Sequence, residues 1–131
     1  MTDARGIRNC NPGNIRKNST VWMGMAATQT DPSFVQFVAP EYGIRAIAKI
    51  MKSYRALGLN TIREVIRRWA PPSENNTDSY VAAVCAECSV RPDDAVDLES
   101  VMPLLVKAII YHENGCCPYT DEQIHSGIAL A

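Results

Sequence analysis

At Pro40 the apolar residues of this chain change their spacing. Downstream of it, Ile44, Ile47, Ala48 and Met51 recur at i, i+3, i+4 and i+7, the period that lays one apolar stripe along a helix. Gly58 closes that helix. A second starts at Asn60 or Thr61, carries Ile62, Val65, Ile66 and Trp69 at the same spacing, and is stopped by Pro71-Pro72. A third begins near Asn76-Thr77, whose side chains can cap free amide groups, and carries Val81, Val84, Cys85 and Cys88. Beyond the loop Arg91-Pro92-Asp93-Asp94, a fourth is predicted from Ser100 to Asn114-Gly115, with Pro103 inside its first turn, where a missing N–H removes no hydrogen bond. A short last helix follows Thr120 and reaches Gly127 or slightly beyond. Upstream of Pro40 the pattern is different: Asn11-Pro12-Gly13-Asn14 and Asp31-Pro32-Ser33 bracket β-prone runs at Val21-Trp22 and Phe34 to Val38. The expectation is therefore an α+β fold, predominantly α, with a small irregular β-lobe over residues 5–38 and a helical lobe of about five helices over 40–131.

A chain of 131 residues fits one domain spanning 1–131. Its 13 Lys and Arg against 14 Asp and Glu leave a net charge of −1, too even for a general nucleic-acid binder. The longest apolar stretch, Val101 to Tyr111, is broken by Pro103 and Lys107 and is too short to span a bilayer, so no membrane insertion is expected. The segment Met1 to Gly6 has no apolar core of a secretory signal, which implies synthesis in the cytoplasm and carriage outward by something else. Five cysteines, an odd number in a chain large enough to need no staples, read as mainly reduced.

Leu105, Ile109 and Glu113 are spaced by four and share one face of the fourth helix, which puts a carboxylate at the edge of the core. Glu113 also sits in the last turn of that helix, which makes it the candidate general acid of the chain. The alternative for Glu113 is a solvated position on a fraying helix end. Glu41, at the start of the first helix, is the competing carboxylate, but the dipole and free N–H groups there favour its charge, which fits a helix-start role. Glu74 and Asp78 invite the same structural reading.

A zinc site can be written from Cys85, Cys88, His112 and Cys116, although a C-x-x-C on the apolar stripe of a helix is explained by core packing alone. No metal or other cofactor is expected on that ground. A Cys116–His125 nucleophile lacks a local base and oxyanion hole. Arg63, Arg67 and Arg68 form a basic face on the second helix, ordinarily a solvated one. The tyrosines, Tyr42 and Tyr119 among them, offer either sugar-stacking surfaces or rings at a core boundary.

The strings Arg5-Gly6-Ile7-Arg8-Asn9-Cys10-Asn11-Pro12-Gly13-Asn14-Ile15, Val21-Trp22-Met23-Gly24, Tyr42-Gly43-Ile44-Arg45-Ala46 and His112-Glu113-Asn114-Gly115 closely resemble a family of small phage and prophage proteins labelled virion structural proteins. A looser similarity links Asn11-Pro12-Gly13-Asn14-Ile15 to the segment that follows the catalytic Glu in lysozyme-like glucosaminidases and lytic transglycosylases. Ala108 to Gly115 looks like the helix end that precedes that segment, displaced to the C-terminal part of the chain as in a circularly permuted lysozyme-like fold. The resemblance implies peptidoglycan glycan strands as substrate, cleavage of the MurNAc–GlcNAc β-1,4 bond, and Glu113 as the one general acid and base. It also implies that Asn9, Asn11 and Asn14 bind acetamido groups, unless they serve only their turns; Cys10 stands where that family leads one to expect Asn. The rivals are a non-catalytic virion or cell-wall-binding protein, with other virion proteins as partners, and a small zinc-binding interaction module.

Overall fold

The computed structural model describes residues 3–131, so Met1 and Thr2, the first residues of the segment read for a signal sequence, lie outside the described residues. Six helices follow one another: α1 (Arg5–Arg8), α2 (Pro40–Ala56), α3 (Ile62–Trp69), α4 (Thr77–Cys88), α5 (Leu98–Asn114) and α6 (Asp121–Ala129). The starts of α3, α4, α5 and α6 are set by side chains that satisfy free amides. Thr61 accepts from the Glu64 N–H, Asn76 from Ser79 and Asp97 from Glu99, while Thr120 and Gln123 close a reciprocal capping box. Pro40 occupies the first turn of α2, where it lacks nothing the helix needs. Gly115 ends α5 at φ 74°, a left-handed conformation that glycine adopts without steric cost.

Helix α5 lies in the middle, packed against α2, α4 and α6 and touched by α1, while α2 packs along α6 and α3 against α4. The stripes foreseen from the sequence meet in one core that includes Ile44, Ile47 and Met51 of α2, Ile62 and Ile66 of α3, Leu105 and Ile109 of α5 and Ile124 of α6. The α2–α6 approach depends on Gly127, where a Cβ would come 2.5 Å from Ile44 Cγ2. Among the described residues no helix is long and apolar enough to cross a membrane.

The α+β expectation is overturned. Among the described residues there is no sheet, only two isolated bridges, Arg16 with Phe34 and Met25 with Phe37, so the fold is all-helical and the β-lobe assigned to residues 5–38 does not exist. The lysozyme-like α+β assignment falls with it, and the helix count is six because Arg5–Arg8 adds a short turn.

The reason lies in where the backbone groups of this segment find partners. Asn11 takes the Ile15 N–H and donates to the carbonyls of Ile15 and Val35. Gln29 takes the Gln36 N–H and donates to the carbonyls of Ala26 and Gln36, and the Gln36 side chain takes the N–H groups of Thr30 and Asp31. Asp31 takes those of Ser33 and Phe34. Side chains thus satisfy many of the groups a β-ladder would use, which leaves a cross-linked coil in place of strands.

A smaller difference concerns α5, which begins at Leu98 and not at Ser100. Asp97 caps Glu99 and also accepts from the Ser100 hydroxyl, and Leu98 is buried, so the helix gains from an earlier start. Pro103 then stands beyond the first turn and leaves the carbonyl of Glu99, an exposed residue, without its helical partner.

Candidate functional site

Glu113 occupies the last turn of α5, and both of its carboxylate oxygens are held. Oε1 accepts from Asn14 Nδ2 at 3.1 Å and Oε2 from the Tyr80 hydroxyl at 2.8 Å. That hydroxyl accepts in turn from Trp69 Nε1 at 3.0 Å, so a hydrogen-bonded row runs from α3 through α4 to α5 and ends in the N-terminal coil. Tyr80 is fully buried; burial, and then the charge of Glu113, push its phenol far above the ordinary value, so it stays protonated and able to donate. The His112 ring stacks on that of Tyr80, with centroids 3.8 Å apart.

The coil is brought to this point by close contacts. Asn114 donates to the carbonyls of Pro12 and Ile110, which ties the end of α5 to the Asn11–Asn14 turn. At Gly43 a Cβ would lie 2.1 Å from the Cys10 carbonyl oxygen, so α2 can pass beneath the turn only without a side chain there. Asn14 itself adopts φ 49°, a left-handed conformation that asparagine tolerates better than most residues.

Above Glu113 opens a cleft of about 560 Å³, whose walls include the rings of Trp22, Phe34, Tyr54 and Trp69. Its polar lining includes Asn14, Arg16, Asn18, Glu74 and Asn75. Two buried polar atoms of lining residues, Asn14 Oδ1 and Trp22 Nε1, have no hydrogen-bond partner among the described residues. Aromatic faces beside amides and a fixed carboxylate form a surface that can stack on and hydrogen-bond a sugar chain.

The other residues singled out from the sequence lie elsewhere. Asn11 is fully buried and its amide is consumed by the three backbone bonds given above. Asn9 donates to Asp31 and accepts from Gln36, which also leaves its amide inside the coil. Tyr42 packs on Gly24, where a Cβ would lie 2.1 Å from its ring. Tyr119 has a buried hydroxyl with no partner among the described residues, and burial, with the charges of nearby Cys10 and Cys117, pushes its phenol up to about 12. Glu41 belongs to that second neighbourhood, since its charge reaches Cys10 and Tyr119, and it does not line the cleft.

Cys85 and Cys88 are buried in the core, Cys116 is exposed, and all five cysteines are free. Among the described residues no group of three or more His, Cys, Asp or Glu is placed to hold a metal ion. Tyr80, a direct partner of Glu113, and Trp69, which donates to Tyr80, are members of this row that the sequence reading did not assign. A signal for Tyr80 exists: it adjoins the Val81 stripe on an inward face, and a buried tyrosine hydroxyl must find a partner.

These features define a small helical protein with an aromatic-walled cleft between α2, the end of α3, the end of α5 and the N-terminal coil, with the Glu113 carboxylate in its lining. No protein-family model matches the chain. It is 38% identical over 128 residues to Protein P5 of Pseudoalteromonas phage PM2, an alignment that covers 95% of this chain and 79% of that protein. The chain belongs to that family of phage proteins.

Proposed function

We propose that this phage protein is carried with the virion and cleaves the glycan strands of peptidoglycan at the MurNAc–GlcNAc β-1,4 bond, with Glu113 as general acid and base. The observation that carries the reading is the Glu113 carboxylate, held through both oxygens by Asn14 and Tyr80 beneath a cleft walled by aromatic rings. Two fixed donors leave the carboxylate little freedom to rotate, so a glycosidic oxygen seated in the cleft meets a group already oriented for proton transfer.

In the transglycosylase form, Glu113 gives its proton to the leaving O4 as the C1–O4 bond breaks. The sugar's own 6-hydroxyl then bonds to C1 and returns its proton to Glu113, which yields a 1,6-anhydro end and consumes no water. In the muramidase form a water molecule takes the place of the 6-hydroxyl. One carboxylate suffices if the substrate's N-acetyl group assists, in contrast to the usual pair. Trp22, Phe34, Tyr54 and Trp69 supply stacking surfaces, and Asn18 and Asn75 supply amides for the sugar hydroxyl and acetamido groups.

Muropeptide release from purified sacculi tests this. Wild type and Glu41→Gln are expected to release products, and a folded Glu113→Gln to lose about 10²–10⁴ of the rate, the usual worth of a general acid. Anhydro ends identify the transglycosylase form. Kinship with a phage protein favours a second reading, a non-catalytic virion or wall-binding component. Folded wild type that releases nothing between about pH 5 and 8, a range that brackets the pKa of a general acid suited to neutral pH, would establish that reading in place of the enzyme.

A further inference from the structure

Four aromatic rings wall the cleft, and two of them carry a guanidinium. Arg16 lies over the Phe34 ring at 5.2 Å from its centroid, and Arg68 over the Tyr54 ring at 5.9 Å, both within reach of a cation–π contact. Arg5 also lies over the Phe34 ring, at 4.6 Å from its centroid, while making two hydrogen bonds to Asp31, so the charge of Arg5 is already matched. The isolated bridge between Arg16 and Phe34 holds the two backbones in register, which sets Arg16 beside its ring. Arg16 and Arg68 are both exposed, and neither takes part in an ion pair or a side-chain hydrogen bond among the described residues. On a chain with net charge −1 these are two unmatched cations, Arg16 in the lining of the cleft and Arg68 over a ring that lines it.

We propose that Arg16 and Arg68 bind carboxylates that project from the glycan strand, so that the ligand is a strand carrying its peptide stems and not a bare amino-sugar polymer. This rests on the glycan reading of the cleft. Each planar guanidinium presents paired N–H donors that match a carboxylate, and the ring beneath limits the orientations it must give up on binding. The lactyl-linked stems of peptidoglycan bear free carboxylates on alternate sugars, whereas a polymer of N-acetylglucosamine offers hydroxyl and acetamido groups alone.

Glu113→Gln in the full chain is titrated with labelled soluble glycan strands that keep their peptide stems, and with labelled N-acetylglucosamine oligomers of matched length, which carry no carboxylate. One charge-assisted bond corresponds to roughly tenfold in affinity, so peptide-bearing strands are expected to bind about tenfold or more tightly. Arg16→Gln and Arg68→Gln are expected to bring that ratio toward one, and Arg16→Lys and Arg68→Lys to keep part of it. Equal binding of both ligands, or a ratio that survives the double Gln substitution, overturns the proposal and leaves the glycan reading in place. Binding of neither ligand removes both. If Glu113→Gln melts below wild type, the same ratio is read from wild type on ice before turnover.

Discussion

Asn11→Ala tests whether this residue serves the coil or the ligand. The Asn11 side chain is 0% exposed and makes three hydrogen bonds of 2.9–3.0 Å: from the Ile15 N–H, to the Ile15 carbonyl and to the Val35 carbonyl. The Ile15 carbonyl keeps a second partner, the Val35 N–H, so alanine leaves two buried groups bare, the Ile15 N–H and the Val35 C=O. Each costs about 1–3 kcal/mol, together ~2–6 kcal/mol, before any cavity term. A domain of this size has roughly 7–20 kcal/mol in all. The melting temperature is expected to fall by about 8–20 °C, since 1 kcal/mol corresponds to a few degrees at this length. Asn11→Asp is expected to be worse, because a charged oxygen would replace the amide that faces two carbonyls. Thermal melts followed by circular dichroism, with urea midpoints as a check, decide the matter. An Asn11→Ala protein that melts within about 2 °C of wild type yet binds glycan less tightly would refute the structural account and return Asn11 to the ligand.

Tyr80→Phe is expected to lower turnover about 10–100-fold, the worth of one hydrogen bond to a charged group, with KM little changed; muropeptide release under initial-rate conditions measures it. The Asp31 carboxyl is held far below the ordinary carboxylate range, first by Arg5 and then by Asn9 and the N–H groups of Ser33 and Phe34. Its contribution is therefore complete above the unfolded value near ~4 and lost as the pH falls below it, so urea midpoints at about pH 7 and 3 should differ more for wild type than for Asp31→Asn. A chelator is expected to leave the melting temperature within about 1 °C, and a larger drop with stoichiometric zinc in the protein would revive a metal site. Cys116 is exposed, whereas burial pushes the Cys88 thiol up to about 11, so iodoacetamide near ~pH 8 should label Cys116 well before Cys88, as mass spectrometry of digests would read out.

The helices are legible in the sequence because what makes them is local. Thr61, Asn76 and Thr120 lie within three residues of the amides they cap, and the stripe from Ile44 to Met51 spans two turns. The coil before Pro40 is not legible by the same means. Its β-prone runs are real, but the groups that claim their backbones are side chains up to 24 residues away, as in the bond from Asn11 to Val35. Periodicity cannot see a competitor of that kind, and propensity for strand yields to it. Pro103 misleads for a related reason: its preference for a first turn loses to the cap at Asp97 and the burial of Leu98.

The cleft divides along the same line. Glu113 can be picked out because its spacing from Leu105 and Ile109 is local, but its partners stand 33 and 99 residues away at Tyr80 and Asn14. Nothing near Asn14 distinguishes it from Asn9 or Asn11, three amides in one short turn-rich segment. Tertiary placement separates them: two are spent on the coil, and the third reaches the carboxylate because α1 and the Asn11–Asn14 turn sit directly against the end of α5. Gly6 permits that contact, since a Cβ there would lie 2.5 Å from Asn114 Oδ1 and 2.7 Å from Asn14 Oδ1. Gly6→Ala must therefore push on both asparagines at once, and it is expected to lower the melting temperature and, with Asn14 displaced, the turnover that depends on Glu113. Turnover lost in step with stability across Gly6→Ala, Asn11→Ala and Gly43→Ala would mean that the coil and the carboxylate form one cooperative unit. A Gly6→Ala protein that melts low but cleaves at the wild-type rate below its transition would separate the two, and Asn14 would then be a bystander to the chemistry.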